Sequence, residues 1–97
     1  MAQVRFTAAA AADLADAVTW YQHHAPEFVP QFRQAVRTVV QRIEANPKQF
    51  PPSPHGTRQA LLRRFPYLEM FRETDQSADV VAVFHNSRDP LTWQQRT

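Results

Sequence analysis

Apolar positions recur at spacings of three and four through the first half of the chain and at a spacing of two through much of the second, which predicts helices followed by strands. Gln3 to Phe6 alternates polar and apolar residues and reads as a short strand. Thr7 then offers a side-chain oxygen as the N-cap of a helix that begins within Ala8 to Ala12 and reaches about His23. The spacing places Ala11, Leu14, Ala15, Val18 and Tyr21 on its apolar face and leaves Asp13, Asp16 and Gln22 outside. The alanine run favours helix and permits close approach to a neighbour.

His23-His24-Ala25-Pro26 interrupts this pattern, and the next periodic segment sets Phe28, Phe32, Ala35, Val36, Val39 and Ile43 on one face. Pro30 is tolerated only in a first turn, so the second helix starts between Pro26 and Pro30, and Asn46-Pro47 ends it. Two amphipathic helices joined by so short a break are expected to form an antiparallel hairpin lying on an apolar surface.

Pro47 to Gly56 holds four prolines and the only glycine, which makes it a loop. Beyond it, Arg58 to Phe65, Tyr67 to Glu73 and Asp79 to His85 read as strands, separated by Pro66 and by the polar turn Thr74-Asp75-Gln76-Ser77. The third carries five apolar residues in a row, Val80 to Phe84, and is expected to be central and covered at least in part on both faces. The predicted fold is α+β: a helix hairpin packed on one face of an antiparallel sheet made of this three-strand meander and the N-terminal strand.

With 97 residues the chain is expected to form a single domain, residues 1–97. No stretch approaches the roughly 20 apolar residues of a membrane span, and the N-terminus lacks the apolar core of an export signal, so a soluble cytoplasmic protein is expected. Cysteine is absent, which removes disulfides and thiolate metal sites. The net charge is only +2, low for a general nucleic-acid binder. Ten of the eleven basic residues are arginine, which suits bidentate pairing with carboxylate or phosphate.

The chemistry-bearing residues concentrate near the meander. Arg63, Arg64 and Arg72 fall on neighbouring strands and are expected to line a concavity across the sheet, while His85, Arg88, Trp93 and Arg96 follow the apolar strand in "FHNSRDPLTWQQRT". Such arginines can clamp a phosphate and His85 can serve as a general acid. Spacing alone fits a structural role better: Arg88 paired with Asp89 or a helix carboxylate, Trp93 covering the sheet edge, His85 hydrogen-bonded at a strand end. Adjacent His23 and His24 diverge by about 100° on a helix and read as a helix end rather than a metal pair. Asp13 and Asp16 read as a solvated face, and no phosphate loop or nucleophile elbow is present. Neither a metal nor a cofactor is expected.

The order strand, helix hairpin, Pro-rich loop and three-strand meander, with "RRFPYLEMFRE", "VVAVFHNSRDP" and W-x-x-R, resembles the RelE/ParE superfamily of type II toxin-antitoxin toxins over nearly the whole chain. The resemblance implies a cytoplasmic toxin that arrests growth, neutralised by a cognate antitoxin within a hetero-oligomer. The mRNA-cleaving branch acts on the ribosome and needs a base, an acid and cationic stabilisation of the phosphorane. Its members carry an Arg after the Tyr that opens the second meander strand, where this chain has Leu68. They carry lysines on the preceding strand, where this chain has Gln59 to Leu62, and a terminal catalytic Tyr whose counterpart here is Trp93, which cannot act as a base. Arg64, His85 and Arg88 remain as candidates for that chemistry.

The ParE-like branch, associated with poisoning DNA gyrase, fits the long helix hairpin, the Asn-Pro stop and the weak basicity better. On that reading the protein is not an enzyme, and Arg63, Arg64, Arg72, Arg88, Trp93 and Arg96 bind target or antitoxin. The alternatives are a ribosome-dependent mRNA endoribonuclease and a degenerate, non-toxic member that only binds its partner.

Overall fold

The computed structural model describes residues 3–86. The elements run β1 (Gln3–Phe6), α1 (Ala8–His24), a 3-10 turn (Pro26–Phe28), α2 (Val29–Ala45), β2 (Pro52–Ser53), β3 (Thr57–Leu61), β4 (Tyr67–Glu73) and β5 (Ser77–His85). Among the described residues the strands form one five-stranded sheet in the order β1-β5-β4-β3-β2. The α+β architecture holds, with two differences of topology. β1 runs parallel to β5, from Gln3 opposite Ser77 to Phe6 opposite Val80, so the sheet is mixed rather than antiparallel. Alternation identifies a strand but not its direction; that direction follows from α1, which must start where it can lie across β5. The second difference is β2, a short edge strand inside the Pro-rich loop, paired with Arg58 and Thr57 at an edge where proline is tolerated.

Thr7 caps α1 as expected, its Oγ1 accepting from the Ala10 N–H at 3.1 Å. The buried line of the helix is Ala10, Ala17, Val18 and Tyr21, whereas Ala11 and Ala15 face solvent. In an alanine-rich segment the hydropathy is nearly the same all round, so spacing cannot set the rotation of the helix. Asp13 anchors that rotation. β1 pairing ends at Phe6 opposite Val80, and the Val83 N–H further along β5 donates to Asp13 Oδ2 at 3.1 Å. The carboxylate expected to be solvated thus takes over where the neighbouring strand stops. Asp13→Ala is expected to cost about 1–3 kcal/mol by leaving this part-buried N–H unpaired. Asp16→Ala, on the exposed face of the same helix, should stay within about 0.5 kcal/mol, and urea unfolding followed by circular dichroism compares the two.

On the helix side of the sheet, Phe32, Ile43, Phe71 and Val80 are fully buried. Phe32 is the hub of an aromatic cluster, with ring centroids 5.0 Å from Tyr21, 5.3 Å from Phe65 and 5.3 Å from Tyr67. Phe28, expected on this face of α2, instead lies in the 3-10 turn that precedes it and is 48% exposed. β5 lies inside the sheet as expected. A β-bulge at Met70/Phe71 leaves Val81 as the extra residue, and Met70, Val81 and Ala82 form a second buried cluster packed against Phe84.

Among the described residues, one charged side chain interrupts the core. Glu69, on β4 opposite Ala60 and Val83, is 0% exposed, and neither carboxyl oxygen has a hydrogen-bond partner among the described residues. Burial alone pushes its carboxyl up to about 8. No helix among the described residues is long and apolar enough to cross a membrane.

Candidate binding groove

β3 ends at Leu61 rather than continuing to Phe65. Leu62 turns its side chain into the core, and its N–H donates to the Tyr67 carbonyl at 2.9 Å, which closes a tight connection. Within that connection Arg64 takes φ of 69°, the left-handed region that costs a non-glycine residue about 1–2 kcal/mol. The reversal lifts Arg63 and Arg64 out of the sheet, where both are exposed, and lays Phe65 half-buried against the aromatic cluster.

A groove runs between this connection and α2. One part, about 320 Å³, is lined by Ala35, Val39 and Arg42 of α2 and by Arg63, Arg64 and Phe65. The adjoining part, about 330 Å³, is lined by Tyr21, Phe28, Gln31, Arg64 and Phe65. The floor is aromatic: the Phe65 ring lies 5.5 Å from Tyr21, edge to face. Burial, and then the neighbouring Tyr67, raise the Tyr21 phenol above its ordinary value, so it remains neutral. Arg42 lies over the Phe50 ring at 4.8 Å and donates to Gln49 Oε1 at 3.4 Å, which holds it at the groove wall. Arg63 and Arg64 have no ion pair or hydrogen bond among the described residues. Two uncompensated guanidinium groups above an apolar floor suit a carboxylate carried on an apolar surface.

The arginines expected on neighbouring strands are therefore divided. Arg63 and Arg64 meet Arg42 across the groove, whereas Arg72 donates to the His55 carbonyl at 2.9 Å and helps fasten the Pro-rich loop. Arg58 ties down the same loop, bonding Glu73 Oε1 and the Phe50 carbonyl, each at 2.7 Å. His85 ends β5 opposite Tyr67, the two rings 5.3 Å apart and edge to face. Arg88, Trp93 and Arg96 lie outside the described residues. His23 and His24 end α1 as expected, with His24 Nδ1 2.9 Å from the Trp20 carbonyl and its ring stacked on Trp20 at 4.4 Å. Arg42 escaped the sequence reading, although its position three residues after Val39 places it at the border of the apolar stripe.

The model of the ParE toxin of type II toxin-antitoxin systems, parDE, matches residues 4–90. The chain belongs to the ParE toxin family. Among ParE relatives, "Toxin ParE2" of Mycobacterium tuberculosis is 33% identical over 79 residues, covering 80% of this chain and 75% of the relative, in strain CDC 1551 / Oshkosh and in strain ATCC 25618 / H37Rv alike. A solved structure described as "Chromosomal ParDE TA system from P. aeruginosa" superposes with a TM-score of 0.75 at 24% identity, covering 88% of this chain and 96% of the other. That superposition establishes the ParE-like fold, and the family match agrees with the branch to which the residues pointed.

Proposed function

We propose that this ParE-family chain is the growth-arresting component of a toxin-antitoxin module, that it acts by poisoning DNA gyrase without catalysing a reaction, and that a cognate antitoxin neutralises it in a hetero-oligomer by occupying the groove between α2 and residues 62–66. The observation that carries this reading is the chemistry of the groove lining. It offers guanidinium groups and aromatic rings, and its other titratable group, the Tyr21 phenol, is raised further from neutrality. A general acid–base pair working near pH 7 needs groups that titrate there, whereas a binding surface does not. The name of the mycobacterial relative supports the toxin, and the description of the solved ParDE system supports the antitoxin partner.

The test is a gyrase assay on plasmid DNA with ATP and purified toxin, with and without the antitoxin. Toxin-dependent loss of supercoiling or accumulation of linear DNA, reversed by the antitoxin, is the expected result. Unchanged supercoiling at saturating folded toxin would reject gyrase as the target. Cleavage of mRNA on toxin-treated ribosomes would then make Arg64, His85 and Arg88 the residues to replace, and induced expression without growth arrest would leave only partner binding.

A further inference from the structure

The face of the sheet turned away from the helices is more enclosed than its described neighbours explain. Met70 of β4 and Ala82 of β5 stand opposite each other there, each 1% exposed, with Val81 buried beside them. Among the described residues their cluster is built from β4 and β5 alone, while both helices pack into the separate core on the other side. In a sheet, adjacent strands about 4.8 Å away shield the flanks of a side chain but leave its end open to water. A methionine so fully enclosed therefore needs a layer above it. Because Met70 and Ala82 are enclosed in the single chain, that layer belongs to the chain itself. The layer is narrow. Leu61, Leu68 and Phe84 form one row across β3, β4 and β5 on this face, and Leu61 at the β3 end is 52% exposed whereas the other two are half-buried.

Residues 1–2 lead into Gln3, which lies opposite Ser77, five positions along β5 from Ala82 and so roughly 17 Å away. Two residues span about 7 Å at most and fall short. At the other end the chain leaves β5 at Asn86, whose N–H donates to the Pro66 carbonyl at 2.8 Å and so fixes the point of departure. From Asn86 back to Ala82 is four positions, roughly 13 Å, and the seven residues 87–93 reach about 23 Å when extended. Leu91 and Trp93 are the large apolar residues of this stretch. Being two apart, they fall on one side of an extended chain, with Thr92, Gln94 and Arg96 on the other. We infer that residues 87–97 cross the β4–β5 face as an extended strap, with Leu91 and the Trp93 indole lying over Met70, Ala82 and Phe84. Pro90 fits such a course, since its fixed φ suits extended backbone. The strap is independent of the gyrase reading, and it divides the candidate contact residues: Trp93 packs against the sheet, whereas Arg96 faces outward, available to a partner.

Met70 itself reports on the cover, because peroxide transfers an oxygen only to a thioether it can reach. Dilute hydrogen peroxide is added to the native full-length chain, and sulfoxide at Met70 is followed by mass spectrometry. Oxidation should be about tenfold slower than that of free methionine. Leu91→Ala combined with Trp93→Ala should restore most of the rate while the circular dichroism spectrum stays native. Thr92→Ala combined with Gln94→Ala, on the outward side of the strap, should leave the protection intact. A second measurement needs no change in the strap: Trp20→Phe makes Trp93 the only tryptophan. Its emission should then be blue-shifted, and its quenching by acrylamide several-fold weaker, relative to a free peptide of residues 87–97. Oxidation of Met70 as fast as free methionine would show that nothing covers the face, and full protection in a natively folded Leu91/Trp93 double variant would assign the cover elsewhere. Either result overturns the inference, as does quenching of Trp93 as free as in the peptide.

Discussion

Replacing Glu69 with methionine should raise the thermal midpoint at pH 8 by about 10 °C or more, a shift that corresponds to a few kcal/mol in a domain of this size. The carboxyl is fully buried, neither of its oxygens has a hydrogen-bond partner among the described residues, and burial raises it from its ordinary value of 4.5 to about 8. Among the described residues no ion pair compensates it, and desolvation is the cause of the shift. The cross-strand partners of Glu69 on β3 and β5 are Ala60 and Val83, and the buried residues that α2 contributes to the helix-side core are Phe32, Val36, Val39 and Ile43. Tyr67 and Phe71 flank it on its own strand.

Between pH 4.5 and about 8 the folded protein keeps a proton that the unfolded chain has released. The unfolded state therefore binds fewer protons, and stability falls as pH rises through this window, at up to about 1.4 kcal/mol per pH unit. Below the window the contribution is fully present, and above it the loss is complete. Methionine of similar length removes both the titration and the unsatisfied oxygens. Glu69→Gln should remove the titration alone. Thermal unfolding at pH 5, 6.5 and 8 separates the three proteins: the wild type should lose stability across the series relative to both variants. Parallel pH profiles for wild type and Glu69→Gln would refute this account.

Phe32→Ala is expected to destabilise the protein by about 3–5 kcal/mol, a large part of the 5–15 kcal/mol typical of a whole domain. Phe32 is fully buried and contacts Tyr21, Phe65 and Tyr67, so truncation opens a cavity that three other rings border. The effect should reach the groove as well. Phe65 and Tyr21 form its floor, and both rest on the Phe32 ring. Phe32→Leu, which keeps most of the volume, should remain folded at 25 °C yet bind the antitoxin more weakly, although Phe32 itself does not line the groove. Urea unfolding gives the stability, and titration of folded Phe32→Leu with antitoxin gives the second effect; unchanged affinity in that variant would show that the floor does not depend on the hub.

Much of the fold was legible because it depends on local pattern. The boundaries Gln3–Phe6 and Tyr67–Glu73 follow from alternation and turn residues, the end of α2 from Asn46-Pro47, and the cap on α1 from the hydroxyl of Thr7. The resemblance to RelE/ParE toxins likewise rested on ordered elements and short motifs that a linear sequence preserves.

Half of the groove was legible in the same way: Arg63 and Arg64 stood out as clustered basic residues, but their direction did not. It depends on the early end of β3 and on the left-handed turn at Arg64, which a run of strand-like residues conceals. Arg42 is ordinary on its own helix and becomes part of the groove only when the 62–66 connection is laid across it. The same holds for Asp13 and Glu69, both carboxylates in unremarkable local settings. One caps a strand where its neighbour stops, and the other is enclosed because α1 and α2 cover that face of β4. The sequence by itself determined the two helices, the bounds of β1 and β4 and the cap on α1, since these rest on interactions between residues a few positions apart, and its ordered motifs carried the family. The direction of β1, the rotation of α1, the isolation of Glu69 and the meeting of Arg42 with Arg63 and Arg64 were decided by tertiary structure, because each depends on which backbone or side-chain group a distant segment brings alongside.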